Sequence, residues 1–259
     1  MANVDSHAPN TFCWAELATS DPQAAKAFYT ELFGWSFHDD LIPGGGTYTM
    51  LSLRGRFAAA LYEMENAQRE RGIPSHWLSY VSVADADRTA KSAQALGGKI
   101  IKQPFDVMEL GRMAVISDPA DAVFAIWQPK QAIGAQVTDE PGAMCWNELA
   151  TRNVEAAKRF YGGVFGWGFK TDKTGPTSYT ELKIGDRSFG GILEMQPEWG
   201  NIPPHWMPYF LVANCDQSAE RAKNLRGDLK VPPTDIPKVG RFSVIQDPTG
   251  ATFAIIALA

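Results

Sequence analysis

The chain predicts an α+β fold made by tandem duplication, each copy holding two strand–helix–three-strand (βαβββ) modules. Three observations carry this: a long series of motifs occurs twice, each copy contains two capped helical stretches, and short β-like runs fill the intervals between them. Cys13-Trp14-Ala15-Glu16-Leu17-Ala18-Thr19 returns as Cys145-Trp146-Asn147-Glu148-Leu149-Ala150-Thr151, an offset of 132 residues (146 − 14). Phe28-Tyr29 and Phe33-Gly34-Trp35 return as Phe160-Tyr161 and Phe165-Gly166-Trp167. His76-Trp77, Gly111-Arg112 and Asp118-Pro119 return as His205-Trp206, Gly240-Arg241 and Asp247-Pro248, now at an offset of 129 (205 − 76). A repeat this long marks a duplicated domain, so any site it carries is expected twice. The 259 residues suit two units of roughly 100–150 residues each. The expected domains are residues 1–132 and 133–259, joined through the polar, breaker-rich stretch Ile133 to Gly142.

Each element has a local cause. In Ser20-Asp21-Pro22 a side-chain oxygen caps a first turn and proline suits the first helical position. Ala25, Phe28, Tyr29, Leu32 and Phe33 then follow the i, i+3, i+4 spacing of one buried helix face, and Gly34 supplies the stop. Asn153 to Phe165, ending at Gly166, repeats the design. A second helix is expected from Asp85 to Leu96 before Gly97-Gly98, with a counterpart from Cys215 to Leu225. Tyr48–Leu53, Phe57–Tyr62, Leu78–Val83, Met113–Ser117 and Val123–Trp127 have strand character. Gly44-Gly45-Gly46 after Pro43, loosely matched by Lys173-Thr174-Gly175-Pro176, lacks the context of a phosphate loop and is expected to be a hairpin loop.

Composition narrows the function classes. The chain is 45% hydrophobic and 20% charged, ordinary for a globular protein. A net charge of −5 without a basic cluster argues against nucleic acid as a partner. No apolar stretch reaches the roughly 18 residues of a membrane span, and Met1 to Asn10 lacks the order of a signal peptide. Cys13 and Cys145 occupy equivalent places in separate copies and Cys215 has no partner in the first, so a reduced, cytoplasmic protein is expected. Alternation places Cys13 and Cys145 on the face opposite Trp14 and Glu16, as packing residues.

The capped helix ending in Phe-Tyr…Leu-Phe-Gly-Trp and the final Asp-Pro-x-x-Ala-x-Phe strand resemble the vicinal oxygen chelate superfamily, which includes glyoxalase I, bleomycin- and fosfomycin-resistance proteins and extradiol dioxygenases. Pro203-Pro204-His205-Trp206 and Pro232-Pro233-Thr234-Asp235-Ile236-Pro237-Lys238-Val239-Gly240-Arg241-Phe242 look like its tandem glyoxalase-like subgroup. The resemblance implies that paired modules form an open, curved-sheet barrel around a cavity. It also implies a divalent metal held by His and Glu from four strands, which stabilises developing oxyanions.

Carried over position by position, that ligand set fails here. The first ligand position falls on Trp14 and Trp146, the third on Leu78 and Met207, and the last on Ala125 and Ala254. Only Glu63 and Glu194 offer a carboxylate, at the second position. No cofactor is therefore expected. The alternative is a divalent metal on substitute ligands, Glu16, His76 and Glu63 in one copy and Glu148, His205 and Glu194 in the other.

Glu16 and Glu148 are the leading candidates for a general base or ligand anchor, because a carboxylate flanked by apolar strand residues needs a partner or a task. A hydrogen bond to a neighbouring strand is the structural alternative. His76 and His205, the histidines that recur, suit acid–base work or a bond to backbone at a strand start. Tyr48 and Tyr179 offer phenols, Arg112 and Arg241 offer either a carboxylate clamp or a turn-stabilising ion pair, and Trp14, Trp77, Trp127, Trp146 and Trp206 offer stacking walls or core mass. The expected function is binding of a small, partly apolar organic molecule in each copy, with possible metal-free isomerase, lyase or hydroxylase chemistry. Sequestration without chemistry and a metal-dependent glyoxalase or dioxygenase are the alternatives. A monomer or homodimer is compatible with all three.

Overall fold

The computed structural model describes residues 4–42, 45–172 and 178–259; Pro43, Gly44 and Lys173 to Pro176 of the expected hairpin loops lie outside them. The first copy runs β1 (Phe12–Thr19), α1 (Pro22–Phe33), β2 (Ser36–Leu41), β3 (Thr47–Leu53), β4 (Arg56–Glu63), α2 (Asn66–Glu70), β5 (His76–Ser82), α3 (Ala86–Ala95), β6 (Lys99–Val107), β7 (Gly111–Ser117) and β8 (Val123–Pro129). The second runs β9 (Met144–Thr151), α4 (Val154–Phe165), β10 (Gly168–Asp172), β11 (Tyr179–Ile184), β12 (Arg187–Glu194), a 3-10 turn (Pro197–Trp199), β13 (His205–Leu211), α5 (Cys215–Asn224), β14 (Asp228–Ile236), β15 (Gly240–Gln246) and β16 (Thr252–Leu258).

The helices form where their caps require. Asp21 accepts from the Gln23 and Ala24 amides at the start of α1, and Gly34 ends it in the left-handed region at φ 69°. Asn153 and Gly166 do the same for α4. Strand β2 escaped the periodicity reading because all its residues are exposed, so no buried face imposes alternation on it.

Each copy forms one open sheet of eight strands, in the orders β2-β3-β4-β1-β5-β8-β7-β6 and β10-β11-β12-β9-β13-β16-β15-β14. The opening strands of the two modules meet at the centre, β1 antiparallel to β5 and β9 antiparallel to β13. Modules therefore pair within a copy. The edge strands of each sheet do not pair with one another, so neither barrel closes.

The principal core lies between the sheets and belongs to both. Phe28, Tyr29, Leu32 and Phe33 of α1 pack in one cluster with Phe210 and Phe253 of the second copy, while Phe160, Tyr161 and Phe165 of α4 pack with Phe124 of the first. Fully burying such a side chain contributes about 1.5–3 kcal/mol, so neither copy is expected to hold its fold with this surface in water. Residues 1–132 and 133–259 expressed separately should each show weak, non-cooperative melting by circular dichroism, and mixing them should restore a single transition.

The strongest repeated motifs build this junction. Tyr29 donates to Asp247 of the other copy at 2.9 Å and accepts from the Trp77 indole at 2.9 Å. In mirror fashion Tyr161 donates to Asp118 at 3.0 Å and accepts from Trp206 at 2.8 Å. Trp35 donates to the Gly142 carbonyl and Trp167 to that of Asn10, each just ahead of the opposite copy's first strand. Ser79 and Asn147, both buried, add a 2.6 Å bond between β5 and the opposite β9.

Candidate active site on the helix-free face of each sheet

Strand alternation separates two faces. The face carrying Leu17 and Trp77 meets the helices and the other copy; the face carrying Trp14 and Glu16 holds a separate cluster that contains no helical residue. On that second face Glu16 stands opposite Ala60 and Leu78, and Trp14 stands opposite Tyr80, which in turn stands opposite Ala125. In the second copy Glu148 faces Gly191 and Met207, and Trp146 faces Tyr209, itself opposite Ala254. Pairing thus gathers the non-ligating positions Trp14, Leu78 and Ala125 around Glu16, and Trp146, Met207 and Ala254 around Glu148.

Glu16 is buried and accepts two phenols, Tyr48 at 2.6 Å and Tyr80 at 2.9 Å. The Trp14 indole donates to the Tyr48 oxygen at 3.4 Å. Glu148 accepts from Tyr209 at 2.9 Å and is also bonded by Tyr179, whose oxygen takes the Trp146 indole at 2.9 Å. Burial pushes both carboxyls above the ordinary glutamate value, and the phenols, with Lys102 in the first copy, oppose that rise. The four phenols are pushed well up by burial and by the carboxylates they serve. A carboxylate with a raised pKa, oriented by two donors, is a stronger base than an exposed glutamate and is chemically suited to take up a proton.

Tyr80 and Tyr209 were missed from the sequence, although both stand two residues beyond the ligand positions Leu78 and Met207 and therefore share their face. Trp127 also joins the first cluster, its indole donating to the Ala132 carbonyl at 2.8 Å.

Other candidates have different employment. Trp77 and Trp206 point into the core between the copies, where their indoles serve Tyr29 and Tyr161, so they form no wall at this face. Arg112 grips Asp87 at the start of α3 through two bonds of 2.7 and 3.0 Å, and Arg241 grips Asp216 at the start of α5 at 2.8 and 3.0 Å. These guanidiniums tie helix to sheet rather than reaching the face of Glu16, and they hold Asp87 and Asp216 below the usual carboxylate range. His76 and His205 share the face of Glu16 and Glu148 but each bonds a proline carbonyl two residues back, Pro74 at 2.8 Å and Pro203 at 2.9 Å. Burial lowers the pKa of His205.

Glu63 pairs with Thr19 and Glu194 with Thr151, which places both on the opposite alternation from Glu16 and Glu148. Glu63 bonds Arg69 at 3.1 Å instead. Among the described residues no three His, Cys, Asp or Glu side chains group closely enough to hold a metal ion. The substitute trio Glu16, His76 and Glu63 is thus split between faces, and the inherited positions carry indole, alkyl and methyl groups. The donor set does not fit a chelate.

A β-bulge between Phe12 and Trp14 breaks alternation, so Cys13 joins the cluster of Trp14 instead of facing away from it. Cys145 likewise packs beside Trp146. Both thiols donate to tyrosine carbonyls, and burial pushes Cys145 up to about 12, which suits packing and not nucleophilic attack.

A model of the glyoxalase/bleomycin resistance protein/dioxygenase superfamily matches residues 11–126 and again 146–255. The chain belongs to that superfamily. Over 245 residues it is 39% identical to the Mycobacterium tuberculosis protein named "Putative glyoxylase CFP32", covering 94% of this chain and 93% of that one. It is 36% identical to the anthracycline biosynthesis protein DnrV of Streptomyces peucetius, covering 97% and 94%. Among solved structures, the Mn(II)-bound glyoxalase of Novosphingobium aromaticivorans superposes with a TM-score of 0.68 at 16% identity, over 96% of this chain and 82% of that one. The 2,3-dioxygenase LapB of Pseudomonas sp. KL28 gives 0.65 at 13%, over 96% and 93%. At such identities the superpositions establish the fold. Superfamily members bind small-molecule substrates, and a divalent metal is frequent among them. No helix among the described residues is long and apolar enough to cross a membrane.

Proposed function

We propose that each copy binds a small, partly apolar organic molecule against the face of Glu16 or Glu148, and that this glutamate acts as a metal-free general base. The observation that carries the reading is the buried carboxyl beneath two phenols and an indole, present in both copies where the superfamily's ligand positions hold tryptophan, leucine or methionine, and alanine. Aromatic side chains around a single polar group suit a flat, oxygenated ligand. The relatives named for anthracycline biosynthesis support that class.

In the proposed step the glutamate takes a proton from carbon or oxygen next to a polarised carbonyl. The tyrosines hold the carboxylate in place before the transfer and the carboxylic acid after it. An isomerisation returns that proton to a different atom of the same molecule, and an elimination expels a leaving group with the released electron pair, so neither needs an oxidant. Because the donor set does not fit a divalent ion, no step passes through one.

The test uses protein stripped with chelator, checked by elemental mass spectrometry, and a panel of hydroxylated aromatic ketones followed by mass spectrometry of the small molecule. We expect saturable binding and conversion by stripped protein, with turnover unchanged when Mn, Fe(II), Ni or Zn is restored. Turnover that appears only with metal would overturn the metal-free reading and favour a relocated chelate. Tight binding with every ligand recovered unchanged would favour sequestration.

A further inference from the structure

The two faces share a frame but differ in charge. In the first copy a single cross-strand row runs Trp14, Tyr80, Ala125, Val115 and Lys102; in the second the matching row runs Trp146, Tyr209, Ala254, Val244 and Val231. Residues directly opposite across strands project to the same side, so Lys102 belongs to the face of Glu16 and Val231 is its uncharged counterpart. Among the described residues Lys102 has no carboxylate within ion-pair distance. Its ammonium lies 4.4 Å from the Phe105 ring centre, a position the second copy fills with Thr234. A cation resting on an aromatic ring, whose charge reaches Glu16 without an ion-pair contact, is available to an anion.

Two further differences point the same way. Tyr62, next to Tyr48 across the strands, is replaced by Leu193 next to Tyr179. Trp127, opposite Met113, is replaced by Ile256, opposite Phe242. The first face is therefore richer in phenol and carries the ammonium, whereas the second is more aliphatic and carries Glu181, opposite Gly191 in the row of Glu148, where the first copy has Met50 opposite Ala60.

The geometry points to a division between the copies: the first takes an aromatic ligand bearing an ionised oxygen, carboxylate or phenolate, met by Lys102, and the second takes a neutral ligand of similar shape. This rests on the small-molecule reading above and adds the charge class that each copy selects. Tyr62 supplies the first face with a further hydroxyl for an oxygenated ligand, and Leu193 excludes that interaction from the second.

The test titrates protein carrying 15N-labelled tryptophan at pH 7 with 2-naphthoate and, separately, with 2-naphthamide, which has the same shape without the charge. The indoles of Trp14 and Trp146, bonded to Tyr48 and Tyr179, report the two copies. Naphthoate is expected to perturb the Trp14 signal at about tenfold lower concentration than the Trp146 signal, the size of one charge-assisted contact; naphthamide should show no preference for the first copy. Lys102→Met should abolish the naphthoate preference, and Val231→Lys should confer naphthoate binding on the second copy. Equal titration of both indoles by naphthoate, or a preference that survives Lys102→Met, overturns the division and leaves the small-molecule reading standing. Perturbation of neither indole by either probe overturns both.

Discussion

Replacing Glu16 and Glu148 together by glutamine is expected to lower kcat by about 10²- to 10⁴-fold, the range of general acid–base catalysis, while ligand affinity changes little. Glutamine keeps the shape and one acceptor oxygen but has no basic lone pair to receive a proton, so binding and chemistry separate. Rates and dissociation constants on the same substrate check this; full turnover by the double variant would remove the glutamates from the mechanism. The variant also isolates a pH effect on stability. Burial raises the folded-state pKa of both glutamates above their ordinary 4.5. Their contribution to stability is therefore fully present below 4.5 and is lost as pH rises through the folded value, where the buried carboxyl must ionise. The glutamine variant lacks this loss. Its stability relative to the parent should increase as pH rises across that window in urea titrations at fixed ionic strength, which cancels the opposite trend of exposed carboxylates such as Asp87 and Asp216.

Asp247→Ala is expected to destabilise the protein by about 3–5 kcal/mol, because several buried donors lose their acceptor at once. Asp247 is buried and accepts from Tyr29 of the other copy, from the amides of Thr249 and Ala251, and from the Thr249 hydroxyl. Alanine leaves these donors unpaired in the interior, at about 1–3 kcal/mol for each group that finds no new partner. For a chain of this size the melting temperature should fall by about 6–20 °C. Tyr29→Phe keeps the aromatic packing and the local turn, so its cost should be nearer 1–3 kcal/mol. The double variant should fall short of the sum, because both changes remove one bond. Strict additivity would show that the bond between copies contributes nothing. Asp118→Ala should behave alike through Tyr161 and the Ala120 and Ala122 amides.

These two experiments address two uses of the same repeat. The series that announces the duplication divides between two faces: Trp14 and Glu16 with Trp146 and Glu148 serve the candidate site, whereas Tyr29, Trp35, Trp77 and Asp118 with their counterparts bind one copy to the other. Duplication explains why both uses recur. A pseudo-symmetric junction presents each copy with the same partner surface, so each Tyr–Asp–Trp contact is made twice across it.

Local rules made much of this legible in advance. The cap at Asp21 and its repeat at Asn153, with the helical periods that follow, placed the two long helices, because capping and amphipathicity act within a few residues. Repetition defined the two copies, and the side chains at the superfamily's ligand positions were read before any geometry was available. The strand carrying Glu16 was legible too, together with the face it shares with Trp14.

Only the tertiary structure decided what lies across from each strand. Tyr80 became a partner of Glu16, Trp77 became core, and Arg112 turned to Asp87, because those outcomes depend on strand register, on a helix docking against its sheet and on a second sheet covering one face. A bulge at Cys13 overrode alternation, which a period of two cannot foresee. Sequence carries the chemistry of each side chain and the period of each element; pairing register and the packing of one copy on the other choose the neighbours, and the neighbours decide which of two equally repeated residues faces the candidate site and which meets the core.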